Sequence, residues 1–279
     1  MNQGPILVLR QILEAARQST LRLVRTRLFL FFWGVAILGG VLLYAALPDE
    51  ELSRERGDEF TGFVLYLLVL QFGLPLAGVH LAATSLRDDI DRGTLGIIQT
   101  RAISRATLLF GRFLGTTFVV GVSASLVLAI WFFALQSHGD VWRHGIGPEN
   151  KLLFTMVKAA LFSVSSYTAL GLFFGARLNR PIVATVLFVA GIELFVSNLP
   201  VEAGLRAWSP TDAVRRLLQI ELEPVAGSDF SQSLRGYLPE DRVREFVEPW
   251  TVWARVTATG LFLAVWTFSS REYAARAKD

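Results

Sequence analysis

The stretch Ser85-Leu86-Arg87-Asp88-Asp89-Ile90-Asp91-Arg92-Gly93-Thr94-Leu95-Gly96-Ile97-Ile98-Gln99-Thr100-Arg101-Ala102-Ile103-Ser104-Arg105 stands between two apolar runs, about 60–83 and 108–135. Each run exceeds the roughly 20 residues that an α-helix needs to cross a hydrocarbon core about 30 Å thick. The connection itself mixes acids and arginines with helix-compatible apolar residues. Leu95, Ile98 and Ala102 recur at helical spacing and give a short amphipathic helix one apolar stripe. Arg101 and Arg105, four residues apart, share a face of that helix. A solvated loop that simply carries positive charge is the plainer alternative.

Composition agrees with spans on either side. The 279 residues are 52% hydrophobic, with 21 Phe and 7 Trp against 18% charged residues, and the mean hydropathy is +0.45. That excludes an ordinary soluble domain and specifies an all-α polytopic membrane protein. The absence of cysteine excludes disulfides, thiolate metal sites and a Cys nucleophile. The net charge of +3 comes from arginines near span ends, so nucleic acid is not an expected partner. The Gly-rich phosphate loop of Walker type does not occur, so ATP hydrolysis by that route is excluded.

Outward from the central connection the chain reads as one transmembrane domain over 1–279 with six spans, about 28–47, 60–83, 108–135, 152–176, 181–199 and 249–270. Residues 5–18 pattern as an amphipathic helix, with Ile6, Leu9, Ile12, Leu13 and Ala16 along one side, suited to the membrane interface. Arg10, Arg17, Arg22, Arg25 and Arg27 precede the first span against Glu14 alone, which places the N-terminus in the cytosol. The first apolar run is too long for a cleaved signal peptide. Pro75 should kink the second span, because it lacks a backbone donor. His80 has no second ligand at metal-binding spacing and reads as an interfacial residue; no metal site is expected. The pairs Gly111/Gly115 and Gly171/Gly175 suit close helix packing, including packing between two copies of the chain. Residues 84–107 and the turn 177–181 are then inner connections. The segment 200–249 is outer, with short helices on the membrane surface, a cap at Thr211-Asp212, and Trp208, Trp250 and Trp253 at the interface. Both termini are cytosolic.

The order acid, x, acid, x, Gly, Thr, Leu, here Asp89, Asp91, Gly93, Thr94 and Leu95, runs on to Ile103-Ser104-Arg105 and the pair Gly111-Arg112. This order resembles type-2 ATP-binding-cassette (ABC) exporter permeases. The family usually has Glu at the two acidic positions, often Pro where Ala102 stands and often Lys where Arg112 stands. The resemblance implies that 84–107 carries a coupling helix docking on an ATPase subunit, with Arg87, Asp89, Asp91, Gly93, Thr94, Leu95, Ile98, Arg101, Ser104 and Arg105 as the contact set. It further implies two copies of a separate ATPase subunit that hold ATP and Mg, and a second permease copy, most simply a homodimer. It implies a place in a prokaryotic plasma membrane and no covalent chemistry or cofactor in this chain, with export as the direction.

Ionisable and amide groups inside the spans are the remaining candidates for a pathway: Gln71, Lys158, Glu193 and Arg255. At 1.5 Å per residue, Lys158, Glu193 and Arg255 fall at one depth, roughly 10 Å below the outer boundary. That suggests an ion pair of Glu193 with Lys158 or Arg255, or a polar cavity. Snorkelling of the two long cations is the alternative. Two further functions stay open. One is a proton-coupled secondary transporter using Glu193. The other is an intramembrane lipid-modifying enzyme using Asp88, Asp89 and Asp91 around a divalent ion.

Overall fold

The computed structural model describes residues 5–46, 62–91, 103–136, 149–197, 204–222 and 248–270. Every element among them is helical. Helix α1 is Pro5–Val24 and α2 is Arg27–Ala46. Helix α3 begins as the π-helical Gly62–Gly73 and continues as the α-helical Leu74–Asp91. Helices α4 (Arg105–Gln136) and α5 (Glu149–Arg177) follow. Helix α6 is built from Pro181–Val186, the π-helical Leu187–Glu193 and Leu194–Ser197. A 3-10 turn, Gly204–Trp208, leads to α7 (Pro210–Leu222), and α8 is Pro249–Ser270.

Four stretches are individually long and apolar enough to cross a membrane: Leu65–Asp91, Arg105–Ala134, Leu153–Arg177 and Pro249–Ser270. A fifth is reached if Pro5–Val24 and Phe29–Leu42, which meet at 58°, are counted as one bent span. Val183–Ser197 is apolar but shorter, about 22 Å at 1.5 Å per residue. Helix α3 runs to Asp91, so the helix continues well beyond residue 83 and takes up the first part of the connection from which the sequence reading began.

The kink at Pro75 takes the form of a change of helix type. The proline ring has no N–H and would crowd the carbonyl four residues earlier, that of Gln71. The chain is π-helical up to Gly73 and α-helical from Leu74, so the wider turn lies just where the proline would clash. Gly73 fits this turn because a Cβ there would stand 3.0 Å from the Leu68 carbonyl oxygen.

Helix α5 is the central post, packed against α3, α4, α7 and α8. Its buried line of Met156, Ala159, Ala160, Val164, Tyr167 and Leu172 holds small residues where neighbours come closest. Gly171 and Gly175 let α3 approach to the backbone: a Cβ would meet the Val79 oxygen at 2.4 Å and the Ala83 oxygen at 2.5 Å. Gly111 and Gly115 do the same for α1, where the clashes would be with Ala15 Cβ at 2.4 Å and the Ala16 oxygen at 2.5 Å. Both glycine pairs are therefore used for close helix packing within one chain. Helix α1 turns its small residues Ala15 and Ser19, with Leu23, toward α4 and leaves Ile6, Leu9 and Leu13 exposed. Its large apolar side thus faces away from the protein.

Of residues 200–249 the structure describes 204–222 and 248–249, and there α7 packs against other helices of the chain. In α7 every residue from Pro210 to Leu218 is buried. Ser209 caps the helix, accepting the Asp212 N–H at 3.1 Å, and Pro210 occupies the first helical position. The cap thus falls two residues earlier than Thr211-Asp212. Helix α7 is wedged between α3, α5, α6 and α8 at the end of the molecule opposite Asp89.

Candidate functional site

Two of the three buried carboxylates among the described residues, Asp89 and Glu193, organise the polar interior, one at each end of the bundle; the third, Asp212, is paired within its own helix. The first is Asp89, 1% exposed, in the last turn of α3. Its Oδ1 accepts a hydrogen bond from Arg22 Nη1 in the last turn of α1, and its Oδ2 accepts one from Arg112 Nη2 in α4. Arg112 is 6% exposed. Charge-assisted hydrogen bonds of this type are about twice as strong as neutral ones. They are also the condition on which a carboxylate can be buried at all.

Flanking side chains complete this end. Arg87 pairs with Asp91 one turn on, Nη2 to Oδ1 at 2.7 Å and Nε to Oδ2 at 3.1 Å. Ser104 caps α4 by accepting the Thr107 N–H at 3.1 Å. Arg105 Nη1 donates to the carbonyls of Phe268 (3.2 Å) and Ser269 (3.0 Å), satisfying acceptors left over at the end of α8. Of the expected docking residues, then, Arg87, Asp89, Asp91, Ser104 and Arg105 make contacts that root the connection in α1, α3, α4 and α8. Asp89 is enclosed by its own chain and presents no carboxylate at the surface. Gly93, Thr94, Leu95, Ile98 and Arg101 lie outside the described residues. Asp89 and Asp91, two acids of the cluster considered for a divalent ion, are both paired with arginines.

The second carboxylate is Glu193, 3% exposed, at the end of the π-helical part of α6. Its Oε1 accepts from Ser209 Oγ at 2.8 Å, the Thr211 N–H at 2.9 Å and Tyr167 Oη at 3.3 Å. Tyr167 Oη also meets Thr211 Oγ1 at 2.8 Å. Glu193 thus sits on the N-terminus of α7, where the free N–H groups and the positive end of the helix dipole favour an anion. Arg215 of α7 returns the contact: Nη1 donates to the Ser197 carbonyl at the end of α6 at 2.9 Å, and Nε donates to Tyr66 Oη. Helices α6 and α7 therefore terminate each other reciprocally. Arg216 and Asp212 neutralise each other at 2.6 Å inside α7, and Trp253 Nε1 donates to the Pro210 carbonyl at 3.3 Å.

The ion pair expected between Glu193 and Lys158 or Arg255 is not formed. Lys158 pairs with Glu221 at the end of α7, whose other oxygen accepts from Thr155 Oγ1 at 3.0 Å. Its Nζ also stands 4.9 Å from the centre of a Trp250 ring. The Arg255 guanidinium lies 5.6 Å from the centre of a Trp208 ring. Equal depth was the ground for the pairing, but depth is one coordinate, and the azimuth of each side chain about its helix decides contact. Gln71, 4% exposed, has an Oε1 without a hydrogen-bond partner among the described residues.

Arg22, Arg112, Arg215 and Glu221 are the residues that sequence reasoning missed. The first two answer Asp89 from 67 and 23 residues away, and no spacing rule reaches that far. For α7 a local signal existed: Ser209-Pro210-Thr211-Asp212 has a capping serine with proline at the first helical position. No protein-family model matches the chain, and no curated protein matches it.

Proposed function

We propose that the chain is the membrane-embedded permease subunit of an ATP-driven transporter and acts with a separate ATPase subunit that docks at residues 87–105. The carrying observation is that this connection is rooted at both ends. Asp89 is held by arginines from α1 and α4, and Arg105 is held by the end of α8. A push delivered through residues 92–102 would meet α1, α3, α4 and α8 at these two anchors. That is what a nucleotide-driven subunit requires of its membrane partner.

In this reading the arginine-rich Asp89 end is cytosolic, six spans cross the membrane with both termini inside, and α7 is inserted from the outer side. Two permease copies and two ATPase copies form the working unit. ATP and Mg stay on the ATPase, and substrate leaves the cell. The test is co-purification of the full chain from its native membrane under mild detergent. An ATPase subunit in stoichiometric amount, whose hydrolysis rate changes when the two are reconstituted together, is the expected result. A chain that purifies alone and moves solute in response to a proton gradient without nucleotide supports the competing carrier reading built on Glu193.

A further inference from the structure

Beside the Asp89 pair, the joint between α1 and α2 lines an open cavity of about 790 Å³. Its wall includes Arg22, Arg25, Arg27 and Arg112, with Asp88 as the one carboxylate and His80 on the far side. Arg25 and Arg27 are exposed and have no ion-pair partner among the described residues. Arg112 is 6% exposed, yet its Nη1 is buried without a hydrogen-bond partner, because Asp89 takes only Nη2. A buried guanidinium nitrogen facing no acceptor is costly unless something supplies one.

A second cavity, about 200 Å³, lies next to the first. Leu81 lines both. The second is an apolar groove between α2, α3 and α4, with Phe29, Trp33, Ala77 and Ala124 on its walls. Its two indole N–H groups are already committed, Trp33 Nε1 to Ser123 Oγ at 3.3 Å and Trp131 Nε1 to the Ala36 carbonyl at 2.7 Å. The groove therefore offers an occupant almost nothing but hydrocarbon contact.

A basic cavity that shares Leu81 with a neighbouring apolar groove, at the bend where an amphipathic helix turns into an apolar one, has the chemistry of one phospholipid molecule. We infer that this joint binds an anionic phospholipid, its phosphate against Arg25 and Arg27 in the positive field of Arg22 and Arg112, and one acyl chain in the groove past Leu81. The excess of arginine over carboxylate selects a headgroup of net negative charge over a zwitterionic one. The inference needs only that the chain is embedded in a membrane; it does not depend on the transporter reading.

The full chain, stripped of native lipid by detergent exchange, is titrated with phosphatidylglycerol or phosphatidylcholine and the bound lipid is counted by native mass spectrometry. Phosphatidylglycerol should be retained in preference, as one tightly held molecule. Arg25→Gln with Arg27→Gln, which touch no buried contact, should weaken retention roughly 25-fold, since each arginine near an anionic headgroup contributes roughly a fivefold factor. The helix content and thermal midpoint should not move. Ala77→Phe, which narrows the groove, should weaken retention without altering the headgroup preference. Equal retention of the two lipids, or an unchanged affinity in the double arginine variant, overturns the inference. So does displacement by millimolar inorganic phosphate combined with indifference to Ala77→Phe, which would identify a free-anion site and no lipid.

Discussion

The two ends of the bundle bury the same chemical group in opposite ways. Asp89 is held by two full positive charges from helices distant in sequence, whereas Glu193 is held by a serine, a tyrosine and a backbone N–H at the start of a helix. The first arrangement is a clasp: it ties α1, α3 and α4 together, and losing the carboxylate strands a buried cation. The second is a seat: it fixes the short helix α7 among longer ones, and losing the carboxylate strands neutral donors. Charged compensation makes the Asp89 end more brittle to substitution, and neutral compensation leaves the Glu193 end tolerant of an isostere.

The largest expected effect follows from that contrast. Asp89→Ala should lower stability by about 3–5 kcal/mol, the usual cost of removing one partner from a buried ion pair. The drop would be read as a lower thermal midpoint and poorer yield in detergent. Arg22→Gln should cost less, because the Arg22 side chain is 31% exposed and water can replace it. Equal losses at the two positions would erase the distinction between a clasp and a surface pair.

Next in size is the close approach that lets the clasp form. Gly111→Leu forces α1 away from α4, and overpacking of this kind costs about 1–3 kcal/mol. Gly191→Ala, where nothing stands within 4 Å of the added carbon, should be neutral or slightly stabilising. The same stability assay checks both.

At the opposite end Glu193→Gln keeps an oxygen for Ser209 and Thr211 and loses mainly the charge at the α7 N-terminus, about 0.3–2 kcal/mol. Glu193→Leu leaves those donors without an acceptor and should cost more, about 1–3 kcal/mol for a buried donor so stranded. If glutamine proves as damaging as leucine, the seat depends on charge and the contrast with Asp89 fails.

The smallest effect concerns Lys158. Its partner Glu221 is half-buried, so a double-mutant cycle of Lys158→Met and Glu221→Gln should give a coupling of about 0.5–1 kcal/mol. The cycle of Lys158→Met with Glu193→Gln should be additive within about 0.5 kcal/mol, the behaviour of groups that share no contact. Coupling in the second cycle and none in the first would restore the ion pair inferred from depth.

These contrasts also mark where the sequence stopped being informative. Long apolar runs, the disturbance at Pro75 and the need for close contact at Gly111 and Gly171 were legible because each depends on residues near in sequence. The partners of Asp89 were not, since Arg22 reads as ordinary positive charge at a span end and Arg112 as the basic half of the Gly111-Arg112 pair. Helix α7 misled for a related reason. It has charges on most turns and resembles a surface helix, but Asp212 and Arg216 cancel within it while Arg215 is absorbed by the carbonyl of Ser197 and Tyr66. A helix that satisfies its own polar groups can be buried, and composition does not report that satisfaction. Once α7 was placed outside the bundle, Glu221 was out of consideration as a partner for Lys158.

The central claim is that a push on residues 92–102 is transmitted through the rooted connection around Asp89. The most direct measurement replaces 92–102 with a Gly/Ser linker of equal length, leaving Asp89, Arg105 and Arg112 in place, in the chain reconstituted with the ATPase subunit that the proposed function calls for. The account predicts a stable, correctly folded membrane subunit whose complex with the ATPase is weakened, or whose ATP hydrolysis no longer drives transport. Unchanged assembly together with fully coupled turnover would contradict it.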